Sequence, residues 1–243
     1  YIADKRQELH FTQVFRTAKK AGIVPQDADM TFLGFGTMNG KDGKPFKTRS
    51  GGVMRLQYLI EDIDKAVYEK SSENRSMSEE EAKNTAKIVG LAALKYGDLS
   101  NQASKDYVFD IDRFTSFEGN TGPYILYTVV RIKSIFNKFA ENGGKPENCS
   151  IDTAQNASEK KLMLSLVKFN EVFESAYKDN APHKLCQFIY EVADAFGGFY
   201  HDTMILSETD EKKKQGYIAL LGLTRNVLEC CLDLLGIRTP ERM

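Results

Sequence analysis

Phe117-Glu118-Gly119-Asn120-Thr121-Gly122-Pro123-Tyr124 divides this 243-residue chain into two stretches of different character. From Pro123 the apolar pattern is helical almost to the end, and predicts helices near 123–140, 158–178, 183–202 and 211–235. Gly143, Gly144 and Pro146 make Glu141 to Gln155 a linker or exposed loop, and Gly236 reads as a C-terminal helix stop. Upstream the order is strand (Tyr1 to Asp4), helix (about Glu8 to Ala21, stopped by Gly22) and a second apolar run (Met30 to Phe35). That order resembles one βαβ unit. Leu9, Phe11, Val14, Phe15 and Ala18 are its candidate apolar helix face.

Between these stretches a helix is expected from Met54 to Tyr68, with Leu56, Leu59, Ile60, Ile63, Ala66 and Val67 on one face. A polar loop spans Lys70 to Ser78. Ser78 before Glu79, Glu80 and Glu81 is a helix start, because a serine cap and first-turn carboxylates meet the unpaired amides there. Tyr107 to Phe109 reads as a short extended segment. The expected fold class is mainly α, with a partial Rossmann-type α/β segment over 1–120 followed by an all-α bundle over 121–243.

Composition narrows the function. Hydrophobic residues make up 42%, enough for a packed core, and the net charge is only -1. A basic coat is absent, so a polyanion would have to be met by local patches. Four cysteines without a C-x-x-C pair and three histidines argue against a metal site and suit a reducing cytosol. No apolar run approaches the roughly 20 residues that cross a bilayer. Tyr1-Ile2-Ala3-Asp4 reads like part of a buried strand, with the expectation that material upstream is missing.

Two constellations carry chemistry. Gly40 to Gly52 packs Lys41, Lys44, Lys47 and Arg49 into nine positions after a strand. Glycines admit close backbone approach and lysines meet phosphate oxygens, so this is either a mobile phosphate-binding loop or a solvated hairpin. No Walker-type arrangement is present. The second set is aromatic. Tyr124 and Tyr127 lie three apart on one helix, and Phe199-Tyr200 ends another. Such rings either stack on unpaired bases or pack a core. Phe169, Phe173, Phe188 and Phe196 follow helical periodicity and are assigned to the core. No nucleophile–histidine–aspartate set emerges, and Asp110 and Asp112 are read as salt-bridge partners.

Ala92-Ala93-Leu94-Lys95-Tyr96-Gly97-Asp98-Leu99-Ser100, Tyr107-Val108-Phe109-Asp110, the Phe117–Tyr124 string running on to Tyr127 and Arg131, and the ending Leu234-Leu235-Gly236-Ile237 with Pro240-Glu241-Arg242-Met243 together resemble arginyl-tRNA synthetases. Asp4 to Phe15, with Gln7 and His10, resembles that family's late catalytic strand and helix. The likeness covers essentially the whole chain. It implies a class I enzyme that activates arginine with ATP, carrying Mg as counter-ion, and transfers it to its tRNA. It also implies that Gly40 to Gly52 is the KMSKS-type loop, departing from the literal motif as Phe46-Lys47-Thr48-Arg49-Ser50. Lys41, Lys44, Lys47 and Arg49 then act on the triphosphate, and Gln7 contacts arginine. The downstream half corresponds to the DALR anticodon-binding domain, with Tyr124, Tyr127, Tyr200, Met204 and Met243 facing the anticodon loop. The HIGH motif and the carboxylate for the guanidinium belong upstream of Tyr1, so the isolated chain is expected not to aminoacylate. Partners are an arginine-accepting tRNA, arginine and ATP, with no membrane; the expected state is a cytoplasmic monomer. Two alternatives stand beside this reading: a non-enzymatic tRNA-binding module, and a purely structural bundle.

Overall fold

The structure is a computed structural model that describes residues 1–45, 55–71 and 77–243, with only the backbone of Ser71. The described residues divide into two compact units, one within 1–54 and 101–110, the other within 55–100 and 111–243.

The first unit is built on a βαβ element. Strand β1 (Ile2–Asp4) pairs in parallel with β2 (Leu33–Phe35), Ile2 opposite Leu33 and Asp4 opposite Phe35. Helix α1 (Glu8–Lys20) makes the crossover. Gly22 stops it with φ of 67°, a conformation that a Cβ disfavours, and the Gly22 and Ile23 amides donate back to Lys19 and Ala18. Phe11 stacks on Phe32 at 5.0 Å, and Tyr1 meets Phe15 at 5.0 Å. Leu9 and Val14, expected on the same face, are exposed. A two-stranded sheet is narrow and covers only the stripe formed by Phe11, Phe15 and Ala18, one turn apart along the helix. A second parallel pair joins β3 (Met38–Asn39) to β4 (Tyr107–Val108), the expected extended segment.

The second unit is helical throughout. Helix α2 (Leu56–Ser71) buries Leu59, Ile63 and Val67 against α3 (Glu79–Leu99). The Glu81 amide donates to Ser78 Oγ, so the serine caps α3 as expected. Helix α4 (Ile111–Phe114) is one short turn. Helices α5 (Gly122–Glu141), α8 (Pro182–Asp202) and α9 (Glu211–Leu234) form the main core, with Ile125, Leu126, Val129, Ile132, Ile189, Phe199, Leu220 and Leu228 all but inaccessible. The helix expected over 158–178 is instead two, α6 (Ala157–Val167) and α7 (Phe169–Lys178), with a turn at Lys168. That break brings the Phe169 ring to 6.1 Å from Phe188. Phe188 and Phe196 are core and Phe169 is half-buried. Phe173 is not core: it is 39% exposed, resting beside Phe169 at 6.1 Å on the outer side of α7. Gly236 ends α9 with φ of 67°, its amide and that of Ile237 donating to Asp233 and Leu232. Among the described residues no helix is long and apolar enough to cross a membrane.

Candidate functional site

The string 117–124 explains itself residue by residue. Asn120 Oδ1 lies 2.6 Å from the buried Tyr96 hydroxyl, which is also 2.7 Å from the Cys186 carbonyl. Thr121 caps α5: its hydroxyl accepts from the Tyr124 amide at 3.3 Å and donates to the Ser116 carbonyl at 2.6 Å. Gly122 lies so close to α3 that a Cβ would fall 2.5 Å from the Ala92 carbonyl oxygen. Pro123 occupies the first turn, where its missing N–H costs nothing. The motif is thus a splice that fixes the start and direction of α5 against α3 and α8.

With α5 fixed, its outward face is set. Tyr124 is half-buried, its ring 6.1 Å from Tyr190 of α8. Burial raises the Tyr124 hydroxyl's pKa, and the Asp194 carboxylate adds to it. Tyr127 and Tyr200 lie open, 38% and 41% exposed. Between them sits Arg131, one turn beyond Tyr127, with its guanidinium carbon 4.6 Å from the Tyr127 ring centroid and 4.8 Å from that of Tyr200. Arg131 Nη2 also donates to the Tyr127 hydroxyl. Tyr200 also meets core Phe196 at 5.9 Å. Three flat groups from two helices therefore stand together with faces or edges in water. Such a set suits planar, anionic-backboned ligands through stacking and a cation in one place. Met204, 77% exposed, lies one turn beyond Tyr200 in sequence, after α8 ends. Met243 is presented by a separate anchor, the segment following α9.

In the first unit, Gln7 follows the carboxyl end of β1 in the N-cap position of α1, and its side chain makes no capping bond. Asp4, at the strand end, accepts from Arg6 Nε at 2.8 Å and Nη2 at 2.6 Å; this pairing holds its carboxyl at about 2. Asp106 receives Lys5 at 2.9 Å and the Thr37 amide at 2.9 Å, fastening the segment before β4 to the end of β1. The basic loop begins as a tight turn closed by the Gly40 amide to the Lys44 carbonyl at 2.8 Å. Lys41 pairs with Asp110 at 3.0 Å, as the salt-bridge reading of that aspartate expected. Lys44 is exposed and its amide donates to Asp42. Lys47 and Arg49 lie outside the described residues.

Residues 1–111 match the family model described as tRNA synthetases class I (R), catalytic domain, and 125–243 match the DALR anticodon binding domain. The chain is 61% identical to the arginine–tRNA ligase of Agathobacter rectalis and 58% identical to that of Alkaliphilus oremlandii, in each case over its full extent. The chain belongs to the arginyl-tRNA synthetase family. It spans about two fifths of the length of these curated relatives, 42% and 41%. Among solved structures, the arginyl-tRNA synthetase of Plasmodium falciparum superposes with a TM-score of 0.78 at 26% identity, covering all of this chain and 41% of that one. The Thermus thermophilus synthetase gives 0.83 at 24% identity, covering 100% and 40%, and speaks for the fold alone. For this synthetase-family chain, sequence reasoning quoted Arg131 within a motif but left it out of the site. Its spacing of four from Tyr127 was the available signal; its packing against Tyr200 depends on the helix–helix arrangement.

Proposed function

We propose that this chain serves arginine–tRNA ligase activity in two ways: its helical unit receives the anticodon loop, and its α/β unit completes the ATP and arginine site. The observation that carries the reading is the Arg131 guanidinium held between two solvent-open tyrosine rings. Unstacked bases seek flat faces, and their phosphates seek a cation nearby. Tyr127 and Tyr200 are the stacking planes, with Tyr124, Met204 and Met243 as neighbouring contacts for base edges and sugars. The near-neutral charge fits, since base contacts discriminate while phosphate contacts elsewhere supply general affinity.

In the whole protein, ATP enters with Mg as its counter-ion. Lys41, Lys44, Lys47 and Arg49 stabilise the charge that builds on the leaving pyrophosphate. Gln7, at a strand's carboxyl end where ligands of α/β folds bind, hydrogen-bonds arginine. The functional division falls near residue 120, and 1–243 alone does not aminoacylate. The protein works as a cytoplasmic monomer.

The test is equilibrium binding of an arginine-accepting tRNA to the 243-residue chain. Tyr200→Ala should weaken it by about 1–3 kcal/mol, the worth of one stacked base. The melting temperature should fall only modestly, because the ring is 41% exposed although it also meets Phe196 and Arg131, and affinity is compared at a temperature where both proteins are folded. Full affinity in a folded Tyr200→Ala protein, or equal affinity for any tRNA, would overturn the proposal.

A further inference from the structure

The segment that follows α9 is held at several points: the Lys95 ammonium donates to the Gly236 carbonyl at 2.5 Å, Arg242 pairs with Glu81 of α3 at 3.6 Å, and Lys133 takes the stretch between. Lys133 lies on α5, two residues past Arg131, with a side chain only 14% exposed. Its ammonium meets three acceptors: Glu241 Oε1 at 2.7 Å, Glu229 Oε1 of α9 at 3.3 Å and the Pro240 carbonyl at 3.4 Å. An ammonium has three protons, so this one is fully used. Glu229 in turn accepts from the Thr239 hydroxyl at 3.4 Å and faces Arg225 at 3.7 Å. Gly236 reverses the chain, Ile237 and Pro240 are buried, and Glu229, Asp233, Ile237, Arg238 and Thr239 line an open surface pocket beside the turn. Glu241 itself is 83% exposed in its side chain, so the bond to Lys133 holds an otherwise solvated residue two positions before Met243.

We infer that Lys133 is a positioning residue for RNA binding: it fixes residues 239–241 on α5 and, together with the Arg242–Glu81 pair, sets where Met243 is presented. This rests on the anticodon-loop reading above. A largely enclosed ammonium with three matched acceptors from two segments holds a defined geometry: removing it frees Glu241 and the Pro240 carbonyl, while Glu229 keeps Thr239 and Arg225. The lysine itself is too enclosed to meet RNA, so it acts through the segment it holds.

The experiment is a double-variant cycle on the full chain, binding an arginine-accepting tRNA transcript. Lys133→Met should weaken binding about tenfold, the order of one coupled contact, and match Met243→Ala. The combined variant should lose no more than either alone. Glu241→Gln, which touches only the exposed end of the pair and leaves the core intact, should reproduce part of the loss. Lys133→Arg should retain most of the affinity. Additive losses in the combined variant, or full affinity in both Lys133→Met and Glu241→Gln, would overturn the positioning role. If Tyr200→Ala also binds normally, the anticodon reading itself falls; if Tyr200→Ala is weakened while the cycle is additive, only the role of Lys133 falls.

Discussion

Tyr96→Phe removes one oxygen, a buried hydroxyl of the helical unit with two partners. The ring is inaccessible, and the hydroxyl lies 2.6 Å from Asn120 Oδ1 and 2.7 Å from the Cys186 carbonyl. The substitution conserves shape, so no cavity term enters. What is lost is the bond itself, about 1 kcal/mol net, plus the cost of leaving a buried acceptor unpaired, for a total of about 1–3 kcal/mol. For a domain of this size each kcal/mol lowers Tm by about 2–4 °C, so the thermal transition followed by circular dichroism should fall by roughly 2–12 °C. The effect should extend to the site, because Asn120 precedes the Thr121 cap that sets the start of α5. Tyr127→Phe is the control: its hydroxyl makes only a solvent-exposed bond with Arg131, and its loss should cost little in Tm. A Tyr96→Phe transition within 1 °C of the parent, on the same scale, would refute the claim that this hydroxyl splices α3, the 117–124 string and α8.

Other outcomes follow from the same geometry. Gly122→Ala places a methyl 2.5 Å from the Ala92 carbonyl oxygen and should cost about 1–3 kcal/mol in denaturant unfolding; an unchanged midpoint would mean that α3 and α5 can separate freely. The Asp4 carboxyl, drawn down from 3.8 to about 2 by Arg6, contributes stability that is complete above 3.8 and lost as pH falls towards 2. An NMR titration of its side chain should have a midpoint near 2, and a midpoint near 3.8 would dissolve the pair. Burial pushes Cys186 and Cys231 up to about 12, so a disulfide reagent at neutral pH should label exposed Cys230 and spare those two until the chain unfolds. In the whole protein, Lys44→Ala and Lys47→Ala should slow pyrophosphate exchange more than they weaken arginine binding; an unchanged exchange rate would remove the loop from the chemistry.

What was legible in the sequence is what local physics decides. Gly22, Ser78 and Gly236 punctuate helices because backbone sign and capping bonds are properties of a few neighbouring residues. The strand–helix–strand order followed from apolar period alone. The break at Lys168 carries no proline or glycine, so no local signal marks it; it accompanies the approach of Phe169 to Phe188. Phe173 has core periodicity, yet faces outward because nothing in sequence states which helices have a neighbour on both sides. Tyr107-Val108 read as extended, but its partner Met38-Asn39 lies far away in the chain. The site divides in the same way. Tyr127 and Tyr200 were found as residue types and motif positions, while the arginine between them and the lysine that pins the last segment depend on side chains from different helices converging.

Photo-crosslinking tests the central claim most directly. A 4-thiouridine placed in the anticodon loop of an arginine-accepting tRNA, irradiated in complex with this chain and mapped by mass spectrometry, should form adducts at Tyr127 or Tyr200. Adducts confined to other surfaces, with both tyrosines unmodified, would contradict the account.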